Sequence, residues 1–181
     1  MLTGDGVRLR AIERSDIPNF VRWLNDREVT DTLLIHSPLS KAMEEGWYDR
    51  HLAMNPNEGE VLAIEILVGS DWVHVGTTGL HAIEPVHLAA EFGIFIGEKQ
   101  DWNQGFGRKA TRLMLKHGFE DLNLNRIYLH VYETNPRAMK AYEAAGFKHE
   151  GVMRQAIYKN GKYINVILMS VLHSEWIEAR G

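Results

Sequence analysis

The residues best suited to chemistry begin with Trp102-Asn103-Gln104-Gly105-Phe106-Gly107-Arg108, a glycine-bearing loop that follows a strand pattern and opens a helix pattern. Glycine lets the backbone turn tightly and approach an anion with no β-carbon in the way. The unpaired N–H groups of a helix N-terminus point at that anion, and the helix dipole favours its charge. Arg108 adds a cation at the rim, and a pyrophosphate is the natural occupant. Two other readings fit this loop taken alone. The glycines could serve chain reversal only. Gly105-x-Gly107-x-x-Ala110 also matches a dinucleotide fingerprint loosely, with Glu133 after the next strand as the ribose-binding acid. That fingerprint ordinarily opens a mostly parallel sheet, whereas here it arrives mid-chain after an antiparallel run.

A second stretch runs Asn135-Pro136-Arg137-Ala138-Met139-Lys140-Ala141-Tyr142-Glu143-Ala144-Ala145-Gly146-Phe147. Asn135 suits an N-cap, Pro136 the first helical position and Gly146 a left-handed C-terminal cap. Ala138, Ala141, Tyr142 and Ala145 form the inner stripe of this helix, on which Tyr142 by itself reads as a core aromatic.

The elements that must position these stretches follow from periodicity. A short strand, Val7 to Ala11, leads into a helix from about Ser15, with Ser15 as N-cap and Pro18 in the first turn. Thr30 to Pro38 reads as a loop, and a second helix runs from Ser40 to about Met54, stopping at Asn55-Pro56. Val61 to Val68 and Trp72 to His81 are strands joined at Gly69-Ser70-Asp71. A third strand runs from about Leu88 to Ile96, with Glu91, Gly93 and Phe95 facing away from its aliphatic side. The period then lengthens to a helix from Gly105 to about Glu120. Next come a strand, Arg126 to Tyr132, the Asn135 helix, and a hairpin of Phe147 to Tyr158 with Lys162 to Leu172. The strand-helix-strand step from Leu88 to Tyr132 implies one parallel pair in an otherwise antiparallel sheet. The fold class is α+β: a mixed, mostly antiparallel sheet of roughly six to seven strands with flanking helices, in a single domain over residues 1–181.

Composition removes several function classes. With no cysteine among 181 residues there is no disulfide framework, thiolate nucleophile or Cys-ligated zinc. A net charge of −4 argues against nucleic acid as a partner. No apolar run long enough to span a membrane and no apolar leader at Met1 to Arg10 point to a cytoplasmic protein. His74, His81 and His87 are irregularly spaced on a hairpin, so no metal site is expected.

Together, Trp102 to Gly107 and Asn135 to Phe147 resemble the GNAT superfamily of acetyl-CoA-dependent acetyltransferases, in the branch of the ribosomal-protein N-terminal acetyltransferases. Val7-Arg8-Leu9-Arg10, Ala90-Glu91-Phe92-Gly93 and Glu150-Gly151-Val152-Met153-Arg154 are similar to that branch as well. Trp102 stands where the wider superfamily has Arg or Gln, and Asn165 where many branch members have Asp. The resemblance implies the GNAT fold and acetyl-CoA as cosubstrate. It places the backbone of Phe95, Ile96 and Gly97 against pantetheine, and Asn103, Gln104, Gly105, Phe106, Gly107 and Arg108 around the pyrophosphate. It puts Asn135 near the thiol and makes Tyr142 the general acid. The chemistry agrees: an ordinary phenol, pKa about 10, is neutral where a thiol, pKa about 8.5, is departing.

The amine arrives protonated and needs a base. His130 occupies the place of a glutamate in some relatives, and Glu91 lies on the central strand; water is the third option. The acceptor stays open between a protein N-terminus, a polyamine and another small amine. Glu44, Glu45, Asp49, Glu58 and Glu60 favour a cation or merely form a solvated face. Homodimers are common among such relatives, which leaves a homodimer open. A non-catalytic acyl-CoA-binding module and a dinucleotide-dependent oxidoreductase are the competing classes.

Overall fold

The computed structural model describes residues 1–55 and 57–179. Eight strands form one sheet in the order β1-β2-β3-β4-β5-β6-β8-β7. They are β1 (Leu2–Gly4), β2 (Val7–Ala11), β3 (Glu60–Val68), β4 (Asp71–Glu84), β5 (Ala89–Ile96), β6 (Arg126–Tyr132), β7 (Lys148–Lys159) and β8 (Lys162–Leu172). The helices are α1 (Ile17–Leu24), α2 (Arg27–Thr30), α3 (Lys41–Ala53), α4 (Phe106–Lys116), α5 (Pro136–Ala145) and α6 (His173–Glu178). Two hairpins turn on an Asx-Gly pair with both residues left-handed: Asp5-Gly6 at φ 51° and 73°, Asn160-Gly161 at φ 51° and 79°. That geometry matches the twist of the strands it joins.

The expectation of six to seven strands is corrected to eight, because Leu2–Gly4 pairs with β2 through the Asp5-Gly6 turn. Ser15 is not the cap of the first helix. It lies inside a 3-10 turn, Arg14–Asp16, where Glu13 and Asp16 cap one another, and α1 starts at Ile17. The helix expected from Gly105 to Glu120 gives way at His117 to a π-helical turn, His117–Asp121. The C-terminal α6 and the four-residue α2 had no periodic signal. The second helix is bounded as expected, with the Ser40 side chain accepting from Met43 N–H; Pro56, read as part of its stop, lies outside the described residues.

One irregularity of the sheet governs the site. The single parallel pair, β5 with β6, joins only Ala89, Ala90 and Glu91 to Arg126, Ile127 and Tyr128. Beyond Glu91 the strands part. β5 continues to Ile96 against β4 and β6 continues to Tyr132 against β8. The edge of β5 past Glu91 therefore lacks a strand partner, although backbone amides need one.

The sheet carries a core on each face. On one side α4 buries Ala110, Met114 and Leu115 against Leu9, Ile64, Phe92, Ile127 and Leu129. On the other, Ile17, Phe20 and Trp23 of α1 pack with Tyr48 of α3 and with Ala63. A buried ionic chain fixes α1 there. Arg10 reaches Glu65 at 2.8 Å and both oxygens of Asp16 at 2.7 and 2.8 Å, and His74 Nδ1 lies 3.2 Å from Asp16. Burial pushes the Asp16 carboxyl up, but hydrogen bonds from Arg10, His74 and the Glu13 N–H outweigh it and hold the group well below the usual carboxylate range. The His74 ring in turn meets Phe20 and Trp23 edge-on, at 5.6 and 4.9 Å between centroids.

Candidate active site

Where β5 and β6 part, a cleft of about 800 Å³ opens between the N-terminal ends of α4 and α5. Its walls include Ile94, Phe95 and Ile96 of β5, the loop from Trp102 to Arg108, and Asn135, Arg137 and Tyr142. The loop takes its shape from two left-handed residues, Asn103 at φ 62° and Gly105 at φ 83°. Gly105 is the N-cap of α4 and offers no capping side chain, so the first-turn N–H groups are not claimed by one. Trp102 closes one end of the loop. Its Nε1 donates to the Ile96 carbonyl at 2.8 Å, and the Arg137 guanidinium lies 4.2 Å from its ring centre.

Tyr142 reaches the cleft from the second turn of α5. Phe92 meets its ring edge-on at 6.1 Å and Phe147 is tilted at 5.9 Å. Burial pushes its phenol up to about 12, so it stays protonated at any working pH. The role this environment suits is hydrogen-bond donor to a sulfur that is gaining charge. Asn135 uses Oδ1 to cap α5, accepting from Ala138 N–H at 3.1 Å, and also lines the cleft. Of the three pantetheine candidates, Phe95 and Ile96 are on the wall. Gly97 is turned against α1, where a β-carbon would sit 2.1 Å from the Trp23 ring, and its N–H donates to Val75 O at 2.8 Å.

A second cavity of about 430 Å³ lies on the opposite face of β5 and shares Ile94 and Phe95 with the cleft. Phe20 and Leu24 of α1, Leu33, Ile35 and Leu39 of the loop after α2, and Trp47 of α3 line it. Thr77, Gly79 and His81 of β4 face Phe95, Gly93 and Glu91 across the antiparallel register and supply its floor. The bare backbones of Gly79 and Gly93 make room for the His81 ring, whose Nε2 would lie 3.2 and 3.3 Å from β-carbons at those positions. Burial pushes the His81 imidazole below its ordinary pKa, partly offset by the charge of Glu91. It is therefore a neutral base at neutral pH.

The two base candidates read from sequence are brought together. His130 Nδ1 and a Glu91 carboxylate oxygen are 2.7 Å apart, and neither residue lines either cavity. Glu91 links the two histidines: it pairs in register with His81 of β4, and its carboxylate meets His130 of β6, two residues beyond its register partner Tyr128; of the three, His81 lines a cavity. Sequence reasoning left His81 among three hairpin histidines. Strand alternation gives its face, but only the register with Glu91 places it beside that carboxylate. Among the described residues no cluster of His, Cys, Asp and Glu could hold a metal ion, and no helix is long and apolar enough to cross a membrane.

The acetyltransferase (GNAT) domain family matches residues 7–148. The chain belongs to the GNAT acetyltransferases. It is 32% identical over 170 residues to the spermidine N(1)-acetyltransferase of Vibrio cholerae, covering 93% of this chain and 94% of that one. The crystal structure of the Vibrio cholerae enzyme in complex with CoA and spermine superposes with a TM-score of 0.86 at 30% identity, over 96% of this chain and 99% of that one. A putative ribosomal N-acetyltransferase of Bacillus subtilis is 31% identical, but over only 56% of this chain and 55% of its own length. This GNAT protein is thus an acetyl-CoA-dependent N-acetyltransferase whose acceptor is an amine. The dinucleotide reading of Gly105-Phe106-Gly107 is set aside, since that fingerprint calls for a mostly parallel sheet and this one has a single three-residue parallel pair.

Proposed function

We propose that this GNAT protein acetylates the primary amine of a cationic small molecule by direct attack in a ternary complex, with residues 1–181 acting as one cytoplasmic acetyltransferase domain. The observation that carries this reading is that two cavities meet at Ile94 and Phe95 on opposite faces of one strand. Acetyl-CoA enters from the parted edge of β5, its pyrophosphate on the N-terminus of α4 and its thioester beside Tyr142. The amine enters from the α1–α3 side. His81 takes the ammonium proton and the nitrogen lone pair attacks the thioester carbonyl. The tetrahedral adduct gives its second N–H proton to water as the carbon–sulfur bond breaks, and the sulfur leaves as a thiolate that Tyr142 stabilises with a hydrogen bond until water protonates it. The Glu91–His130 pair sits behind His81 and supplies negative charge that favours the protonated imidazole. The spermidine enzymes among relatives matched over nearly their full length favour a small molecule over a protein N-terminus.

Free-thiol release with acetyl-CoA across a panel of small amines and a ribosomal-protein N-terminal peptide tests this. Turnover on small polyamines or diamines is expected. Micromolar acetyl-CoA binding without turnover on any amine would make the protein an acyl-CoA-binding module, and turnover confined to the peptide would overturn the acceptor assignment.

A further inference from the structure

The acceptor cavity holds a charge that the fold does not need. Its walls are mainly aromatic and aliphatic, yet Glu44, in the first turn of α3, lines it with only 6% of its surface exposed. Among the described residues no side-chain hydrogen bond or ion pair reaches the carboxylate; the nearest electrostatic influence is that of Arg50 on the same helix. Its neighbour Glu45, by contrast, is a surface residue 3.6 Å from Lys41. Burial pushes the Glu44 carboxyl above the ordinary range. A buried carboxylate with no cation beside it is unfavourable, and more so than a neutral side chain in the same place.

We propose that Glu44 is the receptor for a second ammonium group of the acceptor. The favoured substrates are then amines in which an apolar spacer separates the reacting nitrogen from a further cation. Cavity geometry supports this division of labour. The reacting nitrogen belongs at the β5 end, where Ile94 and Phe95 are shared with the cofactor cleft and His81 stands over Gly93. The spacer runs past Phe20 and Trp47, whose rings stand edge-on at 5.7 Å. Glu44 lines the same cavity from α3, the helix that also contributes Trp47. Thr77, Thr78, His81 and the indole N–H of Trp47, a donor only, are the remaining polar side-chain groups of the lining. Thr78 already donates to Gly93 O at 3.0 Å, and neither hydroxyl nor a neutral imidazole matches a carboxylate as a partner for an ammonium. A monoamine of equal length would fill the same apolar path and leave the carboxylate unpaired.

This inference rests on the acetyltransferase reading, and matched acceptors separate the two. Steady-state kinetics of the full-length protein would compare putrescine with n-butylamine and cadaverine with n-pentylamine, in the native chain and in Glu44→Gln. The native enzyme is expected to prefer each diamine by about ten- to a hundredfold in kcat/KM, the scale of one buried charge-assisted hydrogen bond. Glu44→Gln should remove that preference by lowering the diamine value alone. It should leave monoamine turnover and acetyl-CoA affinity unchanged, with a melting temperature equal to or above the native one. Glu44→Leu serves as the second variant if the amide alters folding.

Loss of activity on monoamines and diamines alike, accompanied by a lower melting temperature, would make Glu44 structural and overturn the assignment. So would a native enzyme indifferent to the second ammonium, or a preference that survives both substitutions. Absence of amine-dependent thiol release from every acceptor would instead overturn the acetyltransferase reading itself.

Discussion

The two cavities that meet on β5 are built by different means. The cofactor cleft is made from one strand edge, one glycine loop and the beginnings of two helices, so much of its recognition surface is backbone. The acceptor cavity is made from side chains of α1, the loop after α2, α3, β4 and β5, brought together from residues 20 to 95. Backbone recognition tolerates side-chain change as long as the turn survives, whereas side-chain recognition can be rewritten by one substitution. The contrast implies that substitutions on the two sides of β5 should separate in their kinetic effects.

The largest effect should come from Tyr142→Phe, which keeps the rings against Phe92 and Phe147 but removes the donor to sulfur. We expect kcat to fall by about a hundredfold or more with acetyl-CoA affinity intact; stopped-flow thiol release would measure it, and an unchanged kcat would remove Tyr142 from the chemistry. His81→Gln should lower kcat/KM for the amine by about a hundredfold and abolish its acid limb. Because burial depresses this imidazole, the native limb should lie below about pH 6.5. If the limb survives in His81→Gln and disappears in His130→Ala, the base is His130.

On the cofactor side, Gly105→Val forces a β-branched residue to φ 83° at the N-cap of α4. Strain of about 1–3 kcal/mol should weaken acetyl-CoA binding roughly ten- to a hundredfold while the amine KM stays constant; calorimetric titration measures the first and kinetics the second. A shared change in both constants would mean that the two sides of β5 are coupled.

The smallest effect concerns the scaffold common to both cavities. His117 at the end of α4 lies 2.8 Å from Glu60 of β3 and 2.7 Å from Asp121, and these two carboxylates raise its pKa to about 9 despite partial burial. A raised folded-state value means the contribution to stability is complete below about pH 6.5 and is lost as pH rises through about 9. The melting temperature of the native chain should therefore decline between about pH 7 and pH 10, and His117→Gln should flatten that decline.

Local features were legible wherever a short stretch contained its own instructions. Asn135 and Gly146 at the ends of α5, Ser40 before α3 and Gly105 before α4 each act on backbone within a few residues, so the sequence marks them directly. Asp5-Gly6 carried the same kind of signal, and β1 could have been read from it. Asn165 gained an account only from the fold: its N–H and side-chain amide both donate to Glu133, and its side-chain oxygen accepts from Gln155 N–H. Misplacing the start of α1 by two residues reflects a 3-10 turn whose capping pair, Glu13 and Asp16, is also engaged with distant Arg10 and His74.

By itself the sequence determined the α+β class, the order of the main elements, the glycine loop that opens α4 and the candidacy of Tyr142, because those rest on periodicity and on backbone chemistry near in sequence. Tertiary structure decided that β5 and β6 part after three residue pairs, that His81 rather than His130 or Glu91 lines the smaller cavity, and that Glu44 is buried in its wall without a partner among the described residues. Those outcomes depend on strand register and on helix packing across a sheet, and both are set by contacts between residues far apart in the chain.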